Sequence, residues 1–149
     1  MIIRMRIIPS CLVLSSLCVL AAPPQKGKQV IQPKEFATGR PFSPGILAGG
    51  TLYVAGQTGS DLKTGKLPDE FEAEVRTTLD NIGIVLKEAK MDYSDVVSVQ
   101  VYLTDMELFP RMNAVYTTYF KEPRPVRTTV GVAKLVGTAR IEITVTAHK

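Results

Sequence analysis

The sequence predicts an α+β domain built as a single sheet with both helices packed on one face. Two observations carry this. Two stretches repeat apolar residues with the 3.6-residue spacing of an amphipathic helix, whereas several short runs alternate with a period of two. These stretches come in the order strand, strand, helix, strand, helix, strand, strand, with room for one more strand between Val30 and Phe36. Strands and helices mixed this evenly belong to one sheet and one core.

Ile46–Ala48 and Thr51–Ala55 flank Gly49-Gly50, the sequence of a tight hairpin. Asp69 is placed to cap a helix whose apolar positions are Phe71, Val75, Leu79, Ile82, Leu86 and Ala89. Glu70, Glu72 and Glu74 crowd its first turns, where the helix dipole favours negative charge. Val97, Val99, Val101 and Leu103 alternate with Ser98, Gln100 and Tyr102, as a half-buried strand does. Glu107 to Phe120 reads as a second helix, with Leu108, Met112, Val115 and Tyr119 on one stripe and Pro110 in its first turn. Glu122-Pro123-Arg124-Pro125 stops it, and Val126–Ala133 and Arg140–Ala147 supply the last two strands.

At 149 residues, with 45% apolar and 21% charged side chains, the chain holds one ordinary domain and a short extension. Residues 1–21 read as a signal peptide: Arg4 and Arg6 precede an apolar run that ends near Ala21, too short to span a bilayer. Residues 22–33 form a polar linker and the start of the first strand, and 34–149 form the domain. With the leader used, the protein is periplasmic or secreted and keeps no membrane attachment; otherwise it is cytoplasmic. The formal charge of +4 includes Arg4 and Arg6, and without them 16 basic residues face 14 acidic ones. That balance, with scattered arginines and no Trp, argues against a nucleic-acid partner.

The inventory of reactive groups is short. The one histidine is His148, and both cysteines, Cys11 and Cys18, fall inside the leader. A metal centre, a triad or a thiol nucleophile would need residues the domain lacks. What remains is Arg127, opening one apolar strand, and Glu142, inside another. Arg127 is either a solvated end charge or a carboxylate clamp, since a guanidinium fork matches a planar carboxylate. Glu142, flanked by Ile141 and Ile143 on the other side of the sheet, is either one more exposed charge or a covered carboxylate able to polarise a water. Asn113 is either a surface residue or a polar group aimed at a pocket. Gly56 either ends the second strand or lets a ligand approach the backbone. Phe42 and Tyr53 read as packing residues.

Six collinear segments resemble the RidA/YjgF family, which includes enamine/imine deaminases. They are Arg40-Pro41-Phe42-Ser43-Pro44-Gly45, Val54-Ala55-Gly56-Gln57, Val101 to Met106, Met112-Asn113-Ala114-Val115-Tyr116, Pro125 to Val130, and Ile141-Glu142-Ile143. The resemblance runs from Lys34 to Ala147. It implies a chorismate-mutase-like mixed sheet, assembled as a homotrimer with pockets between neighbouring subunits. It also implies hydrolytic deamination of 2-imino or enamine acids such as 2-iminobutanoate and 2-iminopropanoate, without a cofactor or a metal. In the family's deaminases the residue matching Arg127 holds the substrate carboxylate and the one matching Glu142 lies near the attacking water. Gly56 and Thr129 match backbone positions lining the pocket, and Asn113 matches a pocket asparagine. Phe42 stands where the deaminases carry a tyrosine, Ala55 where serine is common and Thr129 where cysteine is common. The competing functions are therefore imine hydrolysis, small-carboxylate binding or a chaperone-like role without turnover, and, last, ribonuclease activity, for which the chain has neither a His pair nor a basic groove.

Overall fold

The structure is a computed structural model of the chain and describes residues 27–149. The leader expected over 1–21, and the first part of the linker, lie outside the described residues. The strands are β1 (Lys28–Ile31), β2 (Gly45–Ala48), β3 (Thr51–Thr58), β4 (Val96–Leu103), β5 (Val126–Gly131) and β6 (Ile141–His148). The helices are α1 (Phe71–Glu88) and α2 (Phe109–Tyr119). The six strands form one mixed sheet in the order β1-β2-β3-β6-β4-β5, antiparallel except for the β4–β5 pair.

The alternation read from the sequence sorts the two faces of this sheet. Val99, Val101 and Leu103 of β4 lie beside Val145, Ile143 and Ile141 of β6, all fully buried or nearly so, and α1 covers them with Val75, Leu79, Ile82 and Leu86. Met112, Val115 and Tyr116 bring α2 into the same core. Arg111 ties the helices together by donating from Nε to Glu72 Oε1 (2.6 Å), and the Tyr119 hydroxyl donates to Asp80 (2.8 Å). The other face carries Glu142, Thr144, Thr146 and Tyr102, and among the described residues no helix covers it.

Several boundaries differ from expectation, each for a local reason. The first strand is Lys28–Ile31, paired with β2, and not Val30–Phe36; Pro33 has no N–H for a ladder, and the chain turns there, with Phe36 N donating to Pro33 O. Asp69 does not cap α1. Glu70 occupies the cap position without a side-chain bond, and the Asp69 carbonyl instead accepts from Arg140. Glu74, read as a first-turn dipole charge, is fully buried and accepts from Arg140 Nε (2.6 Å) and Arg140 N (2.7 Å). The second helix begins with a separate 3-10 turn, Met106–Leu108, so Pro110 falls at the second residue of α2. β3 continues to Thr58 through Gly56. The Gly49-Gly50 hairpin is as expected, both residues at positive φ (55° and 82°), the conformation a two-residue turn of matching twist needs.

Candidate functional site

Glu142 sits on a seat that the backbone makes. Between the pairs Val54↔Val145 and Gln57↔Ile143, β3 carries one residue more than β6, a β-bulge at Ala55-Gly56. A Cβ added to Gly56 would lie 1.9 Å from Glu142 Oε1, so only glycine leaves the carboxylate its place. Gly56 therefore does not end its strand; it lets a side chain of the neighbouring strand lie on the backbone. The Thr144 hydroxyl donates to Val54 O across the bulge, and Ala55 N donates to Pro44 O (2.9 Å). The second bond ties the bulge to the segment that presents Phe42 and Arg40. Arg40 is stacked between two rings, its Cζ 5.9 Å from the centroids of both Phe36 and Phe42. A cavity of about 420 Å³ opens here, with Phe42, Ala55, Gly56, Gln57 and Glu142 among its walls.

Arg127 belongs to a second assembly, on the edge strand. It lies beside Val99, and Thr129 beside Val101, so both side chains point to the helix face. The Arg127 guanidinium stacks on α2, with Cζ 4.4 Å from the Tyr116 centroid and 5.5 Å from that of Phe109. Asn113, one turn before Tyr116, joins them around a cavity of about 440 Å³, with Thr117, Arg124 and Pro125. Two hydroxyls here, Tyr116 Oη and Thr129 Oγ1, are buried without a hydrogen-bond partner. Burial pushes the Tyr116 phenol above its ordinary pKa, with the Arg127 charge pulling the other way. A planar cation beside orphaned hydroxyls and an amide suits a small oxyanion such as a carboxylate.

The two assemblies do not meet within one chain. Glu142 pairs with Tyr102, which pairs with Val130, so it occupies the open face; Arg127 occupies the helix face. Phe42, Gly56 and Glu142 are brought together, as are Asn113 and Arg127, with Thr129 two residues further along the same face of β5 and outside the lining of their cavity, but the sheet separates the groups. None of the four ion pairs among the described residues includes Arg127 or Glu142. Both are half-buried charges held in place yet unneutralised. Phe42, read as a packing residue, is instead 51% exposed at the mouth of its cavity.

The sequence reading missed Tyr116, Arg40, Leu62 and Val136. Tyr116 was findable, since it falls four residues after Met112 and so on the same helix face. Val136, which follows Leu135 in the loop between the last two strands, carried a weak signal. Arg40 opens one of the six family-like segments, whereas Leu62 carried no signal, because only the folded loop brings it to the cavity.

With fold and geometry in place, the likenesses to known proteins are specific. The chain belongs to the RidA/YjgF family, whose model, described as Endoribonuclease L-PSP, matches residues 32–149. A RutC family protein of Aquifex aeolicus is 34% identical over 124 residues, covering 82% of this chain and 99% of that one. The 2-iminobutanoate/2-iminopropanoate deaminase of Mus musculus is 38% identical over 104 residues, 69% of this chain and 77% of that one. The crystal structure of RidA from the Antarctic bacterium Psychrobacter superposes with a TM-score of 0.77 at 33% identity, covering 81% of this chain and 99% of that one.

Proposed function

We propose that three copies of this chain assemble and hydrolyse small 2-imino or enamine acids, such as 2-iminobutanoate and 2-iminopropanoate, to 2-oxo acids and ammonia. The observation that carries this is a pair of unneutralised, positioned charges, Arg127 and Glu142, on opposite faces of one sheet. Each makes half of a site, and a neighbouring copy that lays its β5 edge over the open face completes both. The open face and that edge also expose apolar surface that a monomer would leave wet, with Tyr53 54% and Val126 71% exposed. The name of the mouse relative supports the reaction class.

In the composite site, Arg127 takes the substrate carboxylate bidentately, and Asn113 and the Thr129 hydroxyl orient it. A protonated imine is already a strong electrophile, so position and charge complementarity are the main requirements. Glu142 of the neighbouring copy accepts a proton from a water as that water adds to the imine carbon. Glu142 then hands that proton to the carbinolamine nitrogen, the C–N bond breaks to release ammonia, and the hydroxyl gives its proton back to Glu142 as the C=O bond forms. General-base help of this kind is worth about 10²–10⁴-fold. The site residues Phe42 and Gly56 shape the cavity and add no proton-transfer group.

The test couples an amino-acid oxidase to semicarbazide, which traps free imine. Purified protein should suppress semicarbazone formation, and Arg127→Ala should abolish the suppression. Equal behaviour of the two proteins would contradict the reading. A second reading, carboxylate binding without turnover, is favoured by Phe42 and Ala55, which bring no hydroxyl to the Glu142 cavity. It predicts 2-oxo acid binding that needs Arg127, with no suppression of the semicarbazone.

A further inference from the structure

The Glu142 cavity has more apolar wall than a three- or four-carbon acid can use. Besides Glu142, the lining of this space of about 420 Å³ includes the apolar side chains of Phe42, Ala55, Leu62 and Val136. Phe42 and Val136 are 51% and 84% exposed, an unusual cost for two large apolar side chains facing the same opening. The Phe42 ring is not loose, because Arg40 stacks on it and the segment is tied to the bulge through Ala55 N and Pro44 O. Glu142 lines the same cavity and, on the deaminase reading, fixes where the reacting carbon must sit. A substrate held there directs its own side chain away from the carboxylate and along this wall.

We infer that Phe42, Leu62 and Val136 form a side-chain subsite that selects 2-imino acids with branched or aromatic apolar side chains over the alanine-derived one. The inference rests on the deaminase reading for the placement of the substrate, but its energetics are those of apolar burial alone. Each methylene moved from water to an apolar wall tightens binding about fourfold, or ~0.8 kcal/mol. The leucine-derived acid has three more carbons than the alanine-derived one; against a wall open on one side, a gain of about tenfold is the expectation. A polar rival exists next door. The adjoining cavity, of about 700 Å³, shares Thr58, Ser60 and Val136 with the first and is lined further by Lys66 and Arg140. Lys66 is the one charge it offers an acidic side chain, because Arg140 is already paired with Glu74 and Asp69 also lines the space.

Two measurements on the same full protein separate the inference from the reading beneath it. Calorimetry compares pyruvate, the leucine-derived 2-oxo acid and 2-oxoglutarate, and the semicarbazone assay compares alanine- and leucine-derived imines. The expected result is about tenfold tighter binding of the leucine-derived acid than of pyruvate, and a ratio that collapses toward one in Val136→Asp and Leu62→Ser. The ratio is read on a single variant, so a general loss of affinity does not mimic it. Wild-type affinities within twofold of each other, a ratio untouched by both variants, or 2-oxoglutarate as the tightest ligand would overturn the subsite. So would loss of the oligomer on Val136→Asp, seen by light scattering, since Val136 would then belong between copies. Graded binding without semicarbazone suppression sinks the deaminase reading and leaves the subsite standing; suppression without grading does the reverse.

Discussion

The two half-sites are built by different means. Glu142 is positioned by backbone: a bulge, a glycine that only just leaves it room, and strand partners on both sides in the middle of the sheet. Arg127 is positioned by side chains, stacked on Tyr116 and Phe109 from an edge strand that pairs on one side only. A central strand tolerates little motion, which suits a general base that must hold a water. An edge strand with an aromatic shelf suits a binding cation, and it is also the part another copy can reach. On the proposed reading the contrast separates roles: the rigid half serves the chemistry, and the edge half the recognition of the carboxylate.

Substitutions at the two charges should break this contrast most sharply. Glu142→Gln should lower turnover by about 10²–10⁴-fold while 2-oxo acid binding survives; Arg127→Ala should lose binding itself. A split between kcat and KM in steady-state kinetics checks both. The next effect falls on the rigid half. Glu74 is fully buried and Arg140, two residues before Glu142, is 35% exposed, so Glu74→Ala strands a half-buried cation. We expect a loss of about 3 kcal/mol in urea unfolding, the low end for a broken buried pair, together with reduced turnover and unchanged contacts around Arg127. Gly56→Ala should cost about 1–3 kcal/mol by overpacking and should also displace the carboxylate. For the edge half, Tyr116→Leu removes the shelf and should weaken pyruvate binding about fivefold, or ~1 kcal/mol, alongside a stability loss of about 1–3 kcal/mol from the core space the ring vacates.

The smallest effect concerns neither half, and sharpens the comparison by serving as a control. Hydrogen bonds from Arg111 hold the exposed Glu72 carboxyl at a pKa of about 2, below its ordinary 4.5. A depressed pKa contributes stability that is complete above the unfolded value and is lost as pH falls from about 4.5 through about 2. Arg111→Ala should flatten the acid limb of the stability curve in that window and leave activity at neutral pH alone.

Much of this was legible in the chain, and the illegible parts have physical causes. Arg127 and Glu142 stood out because the domain offers so few reactive groups, and the alternation of Val99 to Leu103 and Ile141 to Ala147 gave the sheet its buried face; Val97, expected on that face, is 49% exposed because a register shift between Val96 and Ser98 buries Val96 instead. The bulge was half visible: a glycine within a strand is its usual sign, yet Gly56 can equally be read as a stop. The separation of the two charges by the sheet was not visible. It depends on the register of β5 beside β4, a long-range pairing that sets Arg127 beside Val99 across the whole of α2. The Glu74–Arg140 pair, 66 positions apart in sequence, likewise exists only once β6 returns past the start of α1.

The central claim is that one catalytic site takes Arg127 from one copy and Glu142 from another. Mixing the two inactive variants, Arg127→Ala and Glu142→Gln, by joint unfolding and refolding tests it most directly. If the site is shared around a ring of three, random mixing restores about a quarter of wild-type imine hydrolysis, the share of junctions that receive both intact side chains. A refolded mixture as inactive as either variant alone would contradict the account.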